Sequence, residues 1–308
     1  MAFATEITID ADGTRRGPFR EPRQMLADQE YDGHASVHDD AVAGDLGLAG
    51  APIEGPTHFS QFDPLAVDVW GERWFESGCL SAHFLNMVVE GETVAASLRP
   101  DGDGTARIDA VKGDGSPVLT GTASVDATAP TELGERLERM RARDPGELFI
   151  VDQVTLGPIL DTSAGPVAVD MTSSNGHLYP FSLRQKLDGI TESSNWYDSD
   201  GSPWGRPVLP FEMFSVLAAK AGGRLPARGP AVGLFIDLEV RAVDGPLFVG
   251  EHYLLERSVL AVGQSRRVES HWVETAVREA STGRHAATVQ LHSGVFKASY
   301  ADYPTDRL

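Results

Sequence analysis

Gly50-Ala-Pro-Ile-Glu-Gly55-Pro-Thr-His58-Phe, running on through Phe62-Asp-Pro-Leu-Ala-Val-Asp-Val69, is echoed later in the chain by Gly205-Arg-Pro-Val-Leu-Pro210-Phe-Glu-Met-Phe-Ser-Val-Leu-Ala-Ala-Lys-Ala221-Gly-Gly. Each stretch is a Pro/Gly-punctuated turn that launches an apolar helix, and each is followed by a long run of strand-like segments. Internal repetition decides architecture before any single residue does. Here it predicts two copies of one helix-plus-sheet module, with the chemistry lying between them.

Working outward, the first helix is expected over about 57–70, with Thr57 as N-cap and Gly71 as terminator. Pro64 fits the first turn of a later-starting helix or kinks an earlier one. Leu80 to Val89, Thr93 to Leu98, Thr105 to Val111 and Val118 to Val125 read as four strands of an antiparallel meander, separated by Gly/Asp turns. Residues 131–150 read as a connection built on a short charged helix capped by Thr131, its charges forming a solvated face. Residues 160–206 read as irregular. A helix at about 211–221 then ends at Gly222-Gly223, and four more strand-like segments follow. The expected division is a first module over 1–130, the connection over 131–150 and a second module over 151–308.

The chain has 308 residues, enough for two domains that each bury a core. Hydrophobic residues make up 41% and charged residues 23%, an ordinary globular composition. No apolar run approaches the roughly 20 residues needed to span a bilayer, and the N-terminus lacks a basic start and an apolar signal core. Cys79 stands alone, which excludes an internal disulfide and a multi-cysteine zinc site; a reducing cytoplasm is expected. The net charge of −19 argues against nucleic-acid and anionic-membrane partners. Docking of an acidic carrier protein would need a local basic patch, for which Arg15, Arg16, Arg20 and Arg23, or Arg184 and Lys186, are candidates beside the plainer reading of scattered solvated charges. No dinucleotide fingerprint or phosphate loop is present, and no cofactor is expected.

One helix lying across a curved antiparallel sheet, doubled in one chain, resembles the double hot-dog proteins, an α+β fold, and among these the MaoC-like acyl hydratases and dehydratases. Two segments carry the resemblance. Val37-His38-Asp39-Asp40-Ala41, followed by Gly47 to Gly55, is similar to the hydratase segment Asp-x-Asn-Pro-x-His-x-Asp and its apolar Gly/Pro turn. Pro207-Val-Leu-Pro210 and the helix after it are similar to the β-hydroxyacyl carrier-protein dehydratases. The resemblance puts His38 at the catalytic histidine and Asp40 at the trailing aspartate. It puts Gly33 at the catalytic aspartate, with Asp32 one step away, and Ala35-Ser36 at the Asn-Pro pair. In the second module Ser202 stands at the histidine position, Phe211 at the glycine and Val216 at the acidic helix residue. Neither half carries an intact acid/base pair.

The resemblance implies acid/base chemistry on an acyl thioester carried by coenzyme A or an acyl carrier protein. Dehydration of a 3-hydroxyacyl thioester needs a base for the C2 proton, an acid for the departing hydroxyl and a donor for the carbonyl. His38 and His58, with Asp32, Asp39 or Asp40, are the catalytic candidates, and His34 replaces His38 if the loop register shifts. Glu54, Gly55 and Thr57 at the helix start are candidates for binding substrate. Gly55 either admits the thioester or simply makes the turn, and His58 is either a base or a helix cap. Trp196, Tyr197 and Trp204 occupy the segment that replaces the second catalytic loop and are candidates for walling a pocket. The histidine spacing on an irregular loop does not make a metal site. Cys79 and His83 read as structural. Three functions stay open: a hydratase/dehydratase; an isomerase, thioesterase or cyclase on the same fold, with Glu54 or Asp63 activating water for thioester hydrolysis; and a non-catalytic acyl-binding protein. An intrachain pair of modules is compatible with a monomer or with a homodimer.

Overall fold

The computed structural model describes residues 2–30, 34–160, 165–223 and 225–307. Two short strands, β1 (Thr8–Ile9) and β2 (Arg15–Arg16), and a one-turn helix α1 (Asp40–Asp45) precede the first long helical stretch. That stretch is a 3-10 helix, Gly55–Gln61, running directly into α2 (Phe62–Trp70), and α3 (Arg73–Ser77) follows. Four strands come next: β3 (Cys79–Phe84), β4 (Val94–Gly102), β5 (Thr105–Lys112) and β6 (Pro117–Ser124). Helix α4 (Glu132–Arg141), β7 (Gly157–Ile159), α5 (Leu183–Gly189) and α6 (Met213–Ala219) lead to the second set: β8 (Gly233–Ala242), β9 (Tyr253–Gln264), β10 (Val268–Glu279) and β11 (His285–Phe296). Two 3-10 turns, Lys297–Ser299 and Thr305–Arg307, end the described chain.

All eleven strands form one sheet, ordered β1-β2-β4-β5-β6-β3-β8-β11-β10-β9-β7. Counted outward from the centre, each half has its first long strand, then its fourth, third and second. The expected meander is therefore corrected: β3 pairs with β6, not with β4. Alternation marks which residues form strands but not which strands pair. The two halves meet where β3 pairs antiparallel with β8, with Leu80 opposite Val240 and Ala82 opposite Leu238. On the other side of β3, Gly121 makes the close pairing with β6 possible, because a Cβ on it would lie 1.9 Å from the Ser81 carbonyl oxygen.

The first helical stretch and α6 lie on one face. Phe59, Phe62, Leu65 and Ala66 of the first stretch and Met213, Phe214, Val216 and Leu217 of α6 belong to one contiguous core with the sheet. Pro64 sits in the first turn of α2, where a missing N–H costs nothing. Gly71 ends that helix with φ +63°. Thr57 does not cap: the residue before the 3-10 helix is Glu54, and Thr57 lies inside it. Asp63, fully buried, joins the halves by accepting hydrogen bonds from Trp74 Nε1 (2.8 Å), Tyr197 OH (2.8 Å) and Phe211 N (3.3 Å). Burial pushes its pKa up to about 7 against the pull of those donors. Trp74 stacks on Phe211 at 4.2 Å between ring centres.

The opposite face is covered at its middle by α4, whose Thr131 hydroxyl accepts from Gly134 N as expected. Its charges are not all solvated. Arg136 Nε lies 2.8 Å from the buried Asp237, which also binds His83 Nδ1 (2.7 Å) and His292 Nδ1 (2.6 Å). His83 is thus a structural histidine on the outer face, and Cys79 is buried at the seam. Residues 160–206 are less irregular than the sequence suggests: α5 carries a reciprocal capping box between Ser182 and Gln185.

Candidate active site

A cavity of about 830 Å³ opens between the modules, within the range of roughly 300–1,000 Å³ usual for small-molecule sites. Its walls come from three places. Residues 34–38, 52–55 and His58 of the first module form one side, with Phe84 to Val88 and the segment 175–179. The inner face of β8, β10 and β11 forms the floor, and Ser215, Ala218 and Ala219 of α6 form the roof.

His38 is held in one tautomer. Its Nδ1 lies 2.7 Å from the carbonyl oxygen of Pro52. A carbonyl only accepts, so Nδ1 carries the hydrogen and a neutral ring has a bare, basic Nε2. Burial lowers its pKa, partly offset by that hydrogen bond. The ring is oriented by backbone and not by Asp39 or Asp40, which corrects the expectation of a carboxylate partner there. Asp39 caps α1, accepting from Ala41 N and Val42 N, and Asp40 Oδ1 accepts from Ala51 N at 2.9 Å. Both carboxylates are exposed and hold the loop. Asp32 lies outside the described residues. His34 also faces the cavity, with Nδ1 3.3 Å from both the nitrogen and the oxygen of Ala231, across the module boundary.

Glu54 is buried at the start of the 3-10 helix, and its Oε1 accepts from Tyr179 OH at 2.7 Å. Burial raises its pKa, while the positive charge of Lys186 and the tyrosine bond pull it back. His58 is 2% exposed, and among the described residues its Nδ1 has no hydrogen-bond partner. Burial first, then Lys186 and Lys112, lowers its pKa to about 4, so the ring is neutral at pH 7. His38, Glu54 and His58 therefore meet at one cavity wall.

Lys186 anchors this wall from behind. Sequence reading offered it as a carrier-docking or solvated cation; it is instead 4% exposed, 3.1 Å from Glu212 Oε2 and donating to Thr57 Oγ1 at 3.1 Å. Thr57 thus serves the charge network and does not line the cavity. Glu212 is buried as well, and burial pushes its pKa up to about 7 against the pull of Lys186. Four of the other proposed docking cations pair within the chain: Arg15 with Asp68, Arg16 with Asp10, Arg20 with Glu192 and Arg184 with Asp198.

Gly55 lines the cavity, yet its lack of a side chain answers a packing need. A Cβ there would lie 2.7 Å from Phe84 Cε1. The aromatic candidates Trp196, Tyr197 and Trp204 do not line the cavity. They pack around Phe75, with Trp196 and Trp204 edge to face at 5.7 Å, while the Tyr197 hydroxyl is spent on Asp63. Asp63 itself is enclosed by protein donors and does not line the cavity, which removes it as a water-activating group. In the second module, the Ser202 hydroxyl donates to the Arg206 carbonyl of its own loop, and Val216 is buried in the core. Among the described residues, no group of three or more His, Cys, Asp or Glu side chains is placed to hold a metal ion, and no helix is long and apolar enough to cross a membrane.

No protein-family model matches the sequence, and the search of curated proteins found no match to it. Solved structures are similar in fold. A MaoC domain protein from Chloroflexus aurantiacus J-10-fl, named as a dehydratase, matches over 96% of this chain and 95% of its own, with TM-score 0.53 and 12% identity. The dehydratase domain of PpsC from Mycobacterium tuberculosis, in complex with C12:1-CoA, matches over 94% of this chain and 97% of its own, with TM-score 0.52 and 14% identity. A further structure of that domain gives TM-score 0.51 at 14% identity, over 94% of this chain and 97% of its own. The chain has the α+β double hot-dog fold.

Proposed function

We propose that the protein is a hydro-lyase that interconverts 3-hydroxyacyl and 2-enoyl thioesters, with all catalytic groups supplied by the first module. The observation that carries this reading is the tautomer of His38: a ring fixed through Nδ1–H, with a bare Nε2, on the same cavity wall as a buried carboxyl group. In dehydration, His38 Nε2 takes the C2 proton of the substrate. The C2–H electrons form the C2–C3 double bond as the C3–O bond breaks. Glu54, protonated, gives its proton to the departing hydroxyl, which leaves as water. Proton return from His38 to Glu54 resets the site. Hydration runs the same steps backward, with Glu54 as base toward water and the His38 imidazolium as acid. Tyr179 and the Lys186–Glu212 pair position Glu54 and Thr57, and neutral His58 serves as a hydrogen-bonding group toward the substrate. The carrier is coenzyme A or an acyl carrier protein. The acyl chain runs under α6 and over β8, β11 and β10.

The test is turnover of a 3-hydroxyacyl-CoA to its enoyl form, followed by the absorbance of the conjugated thioester. His38→Ala and Glu54→Gln are each expected to lower kcat by about 10²–10⁴-fold, the usual contribution of one general acid or base. Wild-type turnover in both variants would refute the assignment. Release of free thiol from acyl-CoA by the wild-type protein would favour a thioesterase instead.

A further inference from the structure

The floor of the cavity is mostly Val, Leu and Phe, as a bound alkyl chain needs, but one cross-strand row of it carries two polar residues. His271 of β10 pairs directly with Ser293 of β11, and Ser293 pairs with Phe235 of β8. Both His271 and Ser293 line the cavity, and so does Thr275, two pleats along β10 on the same face. Among the described residues, His271 Nδ1 is sealed from solvent without a hydrogen-bond partner, so it faces protein, and Nε2 is the ring nitrogen left toward the cavity. Neighbouring strands lie about 4.8 Å apart, so the row ends at His271 roughly 14 Å across the sheet from the β3 position of Phe84, which packs on Gly55. The catalytic wall therefore lies at one end of the row and the imidazole at the other.

Resting on the hydro-lyase reading, we infer that the acyl substrate carries a neutral oxygen function, a hydroxyl or keto group, far from its thioester, and that His271 is the residue that recognises it. A plain alkyl chain lying on this floor would bury the imidazole against methylenes and leave its polar atom unsatisfied. A chain oxygen at that place gives Nε2 a partner, and Ser293 stands beside it on the neighbouring strand. The choice of a neutral group over a carboxylate follows from the charge on the ring. Burial, then His292 and Arg257, lowers the His271 pKa to about 4, so the ring is uncharged at pH 7. Arg257, a nearby cation, is engaged by the Gly222 and Gly223 carbonyls at 3.2 and 2.9 Å. Sites built to hydrogen-bond a substrate group discriminate strongly against the analogue that lacks it.

The experiment is calorimetric binding at pH 7 of dodecanoyl-CoA, of a set of dodecanoyl-CoAs hydroxylated at single carbons from mid-chain to the terminus, and of the terminal dicarboxylic analogue. The wild-type protein is expected to bind at least one hydroxylated probe about tenfold more tightly than dodecanoyl-CoA. His271→Leu should abolish that preference while binding the plain chain at least as well, and His271→Gln should retain part of it. Equal or weaker binding of every hydroxylated probe to the wild-type protein overturns the inference and leaves the hydro-lyase reading standing. Strongest binding of the dicarboxylic probe overturns it in favour of a charged chain end. Failure of dodecanoyl-CoA and all its derivatives to bind overturns the inference and excludes coenzyme A as the carrier in the hydro-lyase reading.

Discussion

His58 offers a measurement in which the structure sets both the sign and the size of the effect. Its pKa falls from 6.5 to about 4 on folding, because a ring 2% exposed is desolvated beside Lys186 and Lys112. Between those values the unfolded chain holds a proton that the folded chain refuses. Stability contributed by His58 is therefore fully present above pH 6.5 and is lost as pH falls toward 4. The full fall from 6.5 to about 4, at about 1.4 kcal/mol for each tenfold change in proton affinity, corresponds to about 3.5 kcal/mol. The chain has a pI near 4.8, so the comparison is best made between pH 7.5 and 5.5, where about 1.3 kcal/mol of that loss has already occurred. Asp63 and Glu212 act in the opposite direction. Their folded pKa values are raised to about 7, so they favour the folded state increasingly as pH falls below 7. The wild-type curve alone mixes these terms, and the difference between wild type and His58→Leu isolates the histidine. Urea unfolding followed by tryptophan fluorescence gives that difference. His58→Leu removes a buried polar atom without a partner, so at pH 7.5 it should be as stable as wild type or slightly more so. At pH 5.5 it should gain about 1.3 kcal/mol relative to wild type. A difference that is the same at both pH values would refute the assignment of His58 as a buried neutral imidazole.

Other outcomes follow from the same geometry. Lys186→Met strands the buried Glu212 and should cost about 3–5 kcal/mol in urea unfolding at pH 9; adding Glu212→Gln should restore most of it, and the cost should shrink as pH falls toward 7, because without Lys186 the Glu212 pKa rises above about 7 and the carboxyl takes up a proton. Gly121→Ala places a methyl against the Ser81 carbonyl in the middle of the sheet, where backbone cannot yield, and should lower stability by about 3 kcal/mol or abolish folding, read by circular dichroism. In the proposed reaction, dehydration needs neutral His38 and protonated Glu54, so kcat/KM should be bell-shaped in pH. Because the His38 pKa is lowered and that of Glu54 is raised, the acid limb should lie below the ordinary histidine value and the alkaline limb above the ordinary glutamate value. Glu54→Gln should remove the alkaline limb from whatever activity remains; a limb that persists would exclude Glu54 as the acid.

Much of the architecture was legible because it is carried by short-range signals. Pro/Gly turns before apolar runs, and Gly/Asp turns between alternating segments, located the helices at 55–70 and 213–219 and all eight long strands. The strand order was not legible, since β3 and β6 share no local cue and meet only through the crossover of the chain. Within the site, His38, Glu54 and His58 were visible as polar residues crowded around one turn. Their partners were not. Tyr179 comes to Glu54 from 125 residues away and Lys186 to Thr57 from 129, and nothing in the local sequence of either marks it as buried. Trp196, Tyr197 and Trp204 misled for the same reason, because large aromatics build a wall and a core equally well, and only their neighbours tell which.

Two helix-on-sheet modules, a segment that concentrates the candidate side chains and a second module without the matching ones are encoded locally. These follow from residue type and spacing, which act over a few residues of chain. Only the tertiary structure decided what those side chains are chemically. A histidine ring has its Nδ1 hydrogen fixed and its Nε2 left bare when a carbonyl 14 residues away accepts that hydrogen, and a surface-looking lysine becomes a buried anchor when two helices close over it. Protonation and tautomer are set by burial and by partners, and both arise only once distant segments have packed together.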